Sequence, residues 1–340
     1  MRLGLGLGGS LDDVAADART AEAAGFDAAW VAELDRSAIV QAAAAIAATK
    51  RLAIGTAVAL AFPRAPTILA MEAWDLAELS RGRFRLGLGT QIRRVLEARF
   101  GTAIDRPAAR LADYAAAVRA VWAANRGGGG AHDGPFYRIA MPTFHGQARP
   151  NQPAVPILFA AVGPLMSRTA GALADGLIGH PLASPRYLAE IVAPAVARGL
   201  AAAGRRADAC PIIASPLVAL DDDVDAARRA AKLQLAFYAT TPAYRPILAL
   251  HGRADLGRPL RRAFATGDTA AMIAAIDDEL LDAIAIAGRP DEAIDRLAAW
   301  EGVAGEVILA PPWYRVAPEA GRQYSAAIVG AFRRALDTRS

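Results

Sequence analysis

Hydrophobic and polar positions along the chain switch repeatedly between two patterns. Short apolar runs, the mark of strands buried on both faces, are separated by longer stretches in which apolar residues return every three or four positions, the mark of amphipathic helices. RLGLGL (2–7) predicts a first strand. It is followed by SLDDVAADARTAEAAG, where Ser10 with Asp13 three residues on reads as an N-cap of the capping-box kind and Gly25 closes the helix. AAWVAE (28–33), a helix at 38–48, RLAIGTAVAL (51–60), a helix opened by Pro66 and running to Leu79, RFRLGLG (83–89) and a helix at 107–124 complete four βα units.

The next stretch, rich in Gly and Pro and without helical period, predicts an excursion over about 126–153 with a short hairpin near 136–139. Beyond it come AVPILFAA (154–161), a helix at 165–174, GLIGH (176–180), a helix near 185–202 and PIIASPLVAL (211–220). From Asp221 to about Leu281 the chain reads as almost wholly helical, an insertion of about 221–285 before a helix at 290–300, the strand EVILAP and a C-terminal amphipathic helix. Eight strands alternating with helices imply right-handed parallel crossovers. The expected architecture is a (β/α)8 barrel in one domain over 1–340, with a doubly wound open sheet as the alternative.

Gly4, Gly6 and Gly9 spell G-x-G-x-x-G, the letters of a dinucleotide-binding loop. Such a loop needs a complete strand before its first glycine, and only three residues precede Gly4. The echo at Gly87-Leu88-Gly89 has its strand but no third glycine before Gly101. Both sets are therefore read as in-strand glycines: Gly4, Gly6 and Gly87 as interior packing, Gly89 as the edge of a ligand mouth.

Composition narrows the function classes. At 54% hydrophobic and 21% charged residues the chain is globular, and its formal charge of +4 comes from scattered basic residues, so no nucleic-acid surface is expected. LAIGTAVALAF (52–62) is too short to span a membrane, and no secretory signal opens the sequence. Cys210 is the only cysteine, which rules out an intrachain disulfide or thiolate metal cluster, suits a reducing cytoplasm and reads as a buried thiol. The only lysines, Lys50 and Lys232, are not at strand C-termini, so Schiff-base chemistry is not expected, and no G-x-S-x-G is present. His132, His145, His180 and His251 lack metal-ligand spacing and no metal is expected; His180 stands out because it ends the sixth strand. Arg64 and Glu72 read as solvated charges, and Trp74 and Leu76 as core.

The run GTAVALAFPRAPTILAMEAWDLAELSRGRFRLGLGTQ, followed by DRPAARLADYAAAVRAVW and FAAVGPLMSRTAGALADGLIGHP, resembles the luciferase-like flavin and deazaflavin oxidoreductases, and more closely the branch that uses coenzyme F420. The resemblance implies a (β/α)8 barrel with the cofactor ring at the strand C-termini. It implies a non-proline cis peptide at about Ala57-Val58 supporting the ring, polar groups at Thr90 and Gln91 beside Gly89, and a cofactor phosphate loop at Val162-Gly163-Pro164. Where the family often has Asp-His after the second strand, this chain has Glu33-Leu34: a carboxylate survives and the histidine is gone. The expected function is hydride transfer between F420 and a small organic substrate, with Glu33 the leading proton donor and His180 the second. An FMN-dependent monooxygenase and a non-catalytic flavin-binding barrel are the alternatives, and a homodimer is a family-based expectation.

Overall fold

The computed structural model describes residues 1–128, 130–140, 149 and 151–337. Among these, eight parallel strands form the barrel: β1 (Arg2–Leu7), β2 (Ala28–Val31), β3 (Ala53–Thr56), β4 (Phe84–Gly89), β5 (Ile157–Ala161), β6 (Gly176–Gly179), β7 (Ile212–Ala214) and β8 (Glu306–Leu309). They are hydrogen-bonded in the order β3-β2-β1-β8-β7-β6-β5-β4, and β4 pairs back with β3, so the ring has no free edge. That closure excludes the open sheet. On the outside, the first helix, Leu11–Ala23, starts as its sequence dictates: Asp13 N–H donates to Ser10 Oγ at 3.1 Å and Ser10 N–H to Asp13 Oδ2 at 2.9 Å.

Side chains alternate across each strand, so one set fills the barrel interior. Trp30, Leu158, Ile178, Ile213 and Ile308 form that inner cluster, distinct from the larger core between strands and helices. The Trp30 indole lies where Gly4 and Gly55 leave room: a Cβ on Gly4 would come within 2.7 Å of Nε1, and one on Gly55 would enter the six-membered ring. Toward the strand N-termini the interior is plugged by charge. Fully buried Glu306 accepts Trp30 Nε1–H at 2.9 Å and both guanidinium nitrogens of Arg85 at 2.8 and 2.9 Å, and Arg85 also lies 4.4 Å from the Trp30 ring centroid. A buried charge is tolerated when paired in this way.

Two predicted strands are interrupted. RLAIGTAVAL divides into β3 and a two-residue strand, Ala59–Leu60, which pairs with the end of β4. PIIASPLVAL divides at Ser215-Pro216, because proline brings no ladder donor. Ile212–Ala214 stays in the barrel, while Val218–Leu220 pairs in parallel with Ile286–Gly288 outside it and brackets the insertion. That insertion is helical, from Val224–Ala239 to Asp278–Ile284. The hairpin in the excursion is formed by Ala131–Asp133 and Arg138–Ala140, its turn at 134–137. A helix not foreseen in the sequence, Arg93–Phe100, follows β4. Among the described residues no helix is long and apolar enough to cross a membrane.

Candidate active site

Strands β2 to β6 are neighbouring staves, so the residues just beyond their C-terminal ends form one arc of the barrel mouth. The sequence-predicted site residues all fall on it: Glu33 after β2, Ala57 and Val58 after β3, Gly89, Thr90 and Gln91 at β4, Val162, Gly163 and Pro164 after β5, and His180 after β6.

The centre of the arc is a bulge. Ile54 and Gly55 pair with Phe84 and Arg85, whereas Ala59 and Leu60 pair with Leu88 and Gly89. From Ile54 to Ala59 the chain takes five steps (59 − 54) while β4 takes four (88 − 84), so one residue is extra. The Ala57-Val58 peptide within it is cis. Ala57 N–H donates to Val31 C=O at 2.7 Å and Glu33 N–H to Val58 C=O at 3.1 Å, and both bulge side chains pack on the inner cluster. The LGLG glycines of β4 make room for it. A Cβ on Gly87 would collide with the Thr56 carbonyl and one on Gly89 with Val58 Cγ2.

Glu33 is committed to this bulge. Its Oε2 accepts Leu60 N–H at 2.8 Å and Arg64 Nη1 at 2.6 Å, and its Oε1 accepts Arg64 Nη2 at 2.6 Å. Both oxygens of this expected proton donor accept N–H groups, and the carboxylate anchors the Leu60 backbone and Arg64. Arg64 is likewise no solvated charge, with its side chain 19% exposed between Glu33 and, at 3.6 Å, Glu72. Desolvation raises the Glu72 carboxyl above its ordinary range, an effect Arg64 opposes.

Gln91 takes a left-handed backbone conformation (φ 56°), and its own Oε1 accepts Ile92 N–H at 2.9 Å, which fixes the turn out of β4. Gly163 is the N-cap of the helix Pro164–Leu173 and supplies no side-chain cap. The N–H groups of that first turn are left for another acceptor, an arrangement suited to a phosphate. Tyr187 Oη donates to Val162 C=O at 3.1 Å and ties this loop to the next βα unit.

His180 sits under a roof made by the insertion. Its ring centroid is 4.1 Å from that of Tyr244 and 4.8 Å from that of Tyr238. Burial pushes the imidazole down to about 3, so the ring is neutral at physiological pH. Leu182 N–H donates to Nδ1 at 3.1 Å, and in the neutral ring the proton therefore resides on Nε2. Gln234, fully buried, joins the roof to the segment after β8: its Oε1 accepts the N–H groups of Trp313 (3.0 Å) and Tyr314 (2.7 Å), and its Nε2 donates to Tyr238 Oη at 2.7 Å. Phe237 stacks on Tyr314 with centroids 4.2 Å apart. None of these roof residues was singled out in the sequence, although FYATTPAY (237–244) and PPWY (311–314) carried an aromatic signal.

The other histidines are engaged elsewhere. His132 pairs with Asp113 at 2.7 Å and His251 with Ser184 Oγ at 2.8 Å, so neither is a free surface ring, and His145 lies outside the described residues. Cys210 is buried and its thiol is pushed up to about 11. Among the described residues no group of three or more His, Cys, Asp or Glu could hold a metal ion. Two hollows lie off the arc, of about 330 Å³ within the insertion beside Arg245 and Arg258, and of about 570 Å³ between helices beside Leu165 and Ala172; none of the expected site residues lines either.

Comparison with known proteins agrees with this geometry. Residues 2–306 match the model of the luciferase-like monooxygenase family, and the chain belongs to that family. It is 41% identical over 302 residues to an uncharacterized protein of Mycobacterium tuberculosis, covering 86% of this chain and 88% of that one. It is 29% identical over 288 residues to the 5,10-methylenetetrahydromethanopterin reductase of Archaeoglobus fulgidus, covering 82% and 83%. Among solved structures, the coenzyme F420 dependent tetrahydromethanopterin reductase from Methanopyrus kandleri superposes with a TM-score of 0.80 over 97% of both chains at 22% identity. The chain is thus an enzyme of a luciferase-like oxidoreductase family whose relatives include F420-dependent reductases.

Proposed function

We propose that this enzyme binds coenzyme F420 across the β2 to β6 arc and transfers a hydride between it and a small organic substrate. The observation that carries the reading is the bulge at Ala57-Val58, flanked by Gly89 and set on the same rim as a helix N-terminus with no side-chain cap. The donor set fits the group: a flat backbone support, a glycine edge, and first-turn N–H groups free to meet a phosphate. Ala57 and Val58 would back the ring, Gly89, Thr90 and Gln91 would border it, and the Val162-Gly163-Pro164 loop would hold the phosphate, with the N–H groups that follow Pro164, which has none itself, as donors. When bound, the deazaflavin supplies the hydride chemistry, and the protein supplies binding, orientation and a dry pocket.

His180 has the second role. It holds a proton on Nε2 and offers it to a substrate oxygen on which negative charge develops, while Tyr238 and Tyr244 exclude water from the ring. The exposed Val40, Ile68 and Met71 on adjacent helices support self-association, and the single cysteine supports a reducing, cytoplasmic setting. The test is titration of the purified chain with F420 and with FMN, followed by fluorescence, then turnover with carbonyl and alcohol substrates. Micromolar F420 binding with weaker FMN binding is expected. Tight FMN binding alone would favour the monooxygenase reading carried by the family's name, and binding of neither would overturn both.

A further inference from the structure

The stretch from Ala57 to Ala61 is held from three sides, and the side-chain part of that grip comes from one ion pair. Ala57 N–H goes to β2, at Val31 C=O, and Ala61 N–H goes to the end of β4, at Gly89 C=O. Between them the Leu60 peptide unit is bracketed by charge: its N–H donates to Glu33 Oε2 at 2.8 Å, and its C=O accepts Arg64 Nη1 at 3.4 Å. Arg64 and Glu33 are themselves joined by two parallel bonds of 2.6 Å, with side chains only 19% and 10% exposed. Glu33 grips the bulge twice, because its backbone N–H also holds the Val58 carbonyl.

We infer that Glu33 and Arg64 are a positioning pair that sets the height of the 57–60 bulge under the cofactor ring. The inference rests on the proposed cofactor site but reads a different property of it. A guanidinium is suited to the task because its planar fork engages both carboxylate oxygens and still reaches the Leu60 carbonyl; a lysine ammonium keeps the charge and loses the fork. Glu72, at 3.6 Å from Arg64 Nε, steadies the far side of the guanidinium from the helix Pro66–Leu79.

The test compares the full chain with Arg64→Lys and Glu33→Gln, and uses Glu72→Gln as a control one step removed. Amide hydrogen exchange at Leu60 and Ala61 is measured without cofactor, F420 affinity by fluorescence titration, and thermal unfolding by circular dichroism. Arg64→Lys retains the ion pair and should stay folded, yet exchange at Leu60 should rise about tenfold and F420 affinity should fall by about the same factor. Glu33→Gln should accelerate Leu60 exchange similarly, and Glu72→Gln should change both readouts far less. Unchanged Leu60 exchange in Arg64→Lys and Glu33→Gln, or unchanged F420 affinity with faster exchange, would overturn the positioning role. If the parent chain bound no F420, the cofactor reading would fall, and the exchange measurement would still decide the clamp by itself.

Discussion

His180 is the residue to which the proposed mechanism assigns the proton, and its neutrality has a consequence for stability. Its folded-state pKa lies below the ordinary histidine value of an unfolded chain, so the unfolded state binds the extra proton first. Stability attached to this ring is complete above about pH 7 and is lost as pH falls below about 6.5, down to the folded value near 3. At pH 5 the loss relative to pH 8 is about 2 kcal/mol, and His251, also lowered by burial and by Arg186 and Arg253, adds to it in the same direction. His180→Phe keeps an aromatic ring between Tyr238 and Tyr244 but removes the Nε2 proton. Turnover should fall by about 10² or more with F420 affinity nearly unchanged, and denaturant curves at pH 5 and pH 8 should lie closer together than in the parent. A variant with parental turnover would remove His180 from the mechanism.

Glycine positions offer a second residue-scale test. Gly55→Ala drives a methyl into the Trp30 ring and should cost about 1–3 kcal/mol, read from urea midpoints. Gly8→Ala, with nothing within 4 Å, should stay within about 0.5 kcal/mol of the parent. The sequence pointed to interior packing for Gly4, Gly6 and Gly87, but not to the reason. The Trp30 indole at Gly4, the Ala310 backbone at Gly6 and the Thr56 carbonyl at Gly87 are what require the missing methyls, and which neighbours share a layer depends on strand register.

At the level of elements, the roof over His180 depends on one polar side chain. Gln234 supplies the acceptor for two backbone N–H groups beyond β8, and an apolar replacement would leave both without it. Gln234→Leu should therefore destabilise the chain by about 1–3 kcal/mol and open 311–317 to limited proteolysis, while β1 and β2 stay protected in hydrogen exchange. Equal protease resistance in variant and parent would mean that aromatic packing alone holds the roof. Elements with strong local signals were legible: the helix at 38–48, the Pro66 start and the Ser10 cap all lie where the chain's own chemistry puts them. The break in the seventh predicted strand was not, because apolar period persists through Pro216 while the ladder does not; the break in the third was legible only through the family resemblance, which placed a cis peptide at Ala57-Val58.

For the whole molecule, alternation of strand and helix pointed to a parallel barrel with an open sheet as the alternative, the pairing of β4 with β3 decides for the barrel, and the order of the strands gathers residues 33, 57–58, 89–91, 162–164 and 180 onto one rim. What the sequence could not supply was which rim residues are free. Glu33 looked like an available carboxylate until its partners, 27 and 31 residues further along the chain, came into view. The roof residues were hidden for the same reason, since Gln234 meets its partners 79 and 80 positions away.

The measurement that reads the central claim most directly is amide hydrogen exchange of the full chain with and without saturating F420. Slowed exchange at 57–61, 89–92, 163–166 and 180–183, with no change beside Arg245 and Arg258 or at Ala172, Gly199 and Ala202 of the second hollow, is the expected result. Slowing confined to those two outlying hollows, with the β2 to β6 rim unaffected at saturating cofactor, would contradict it.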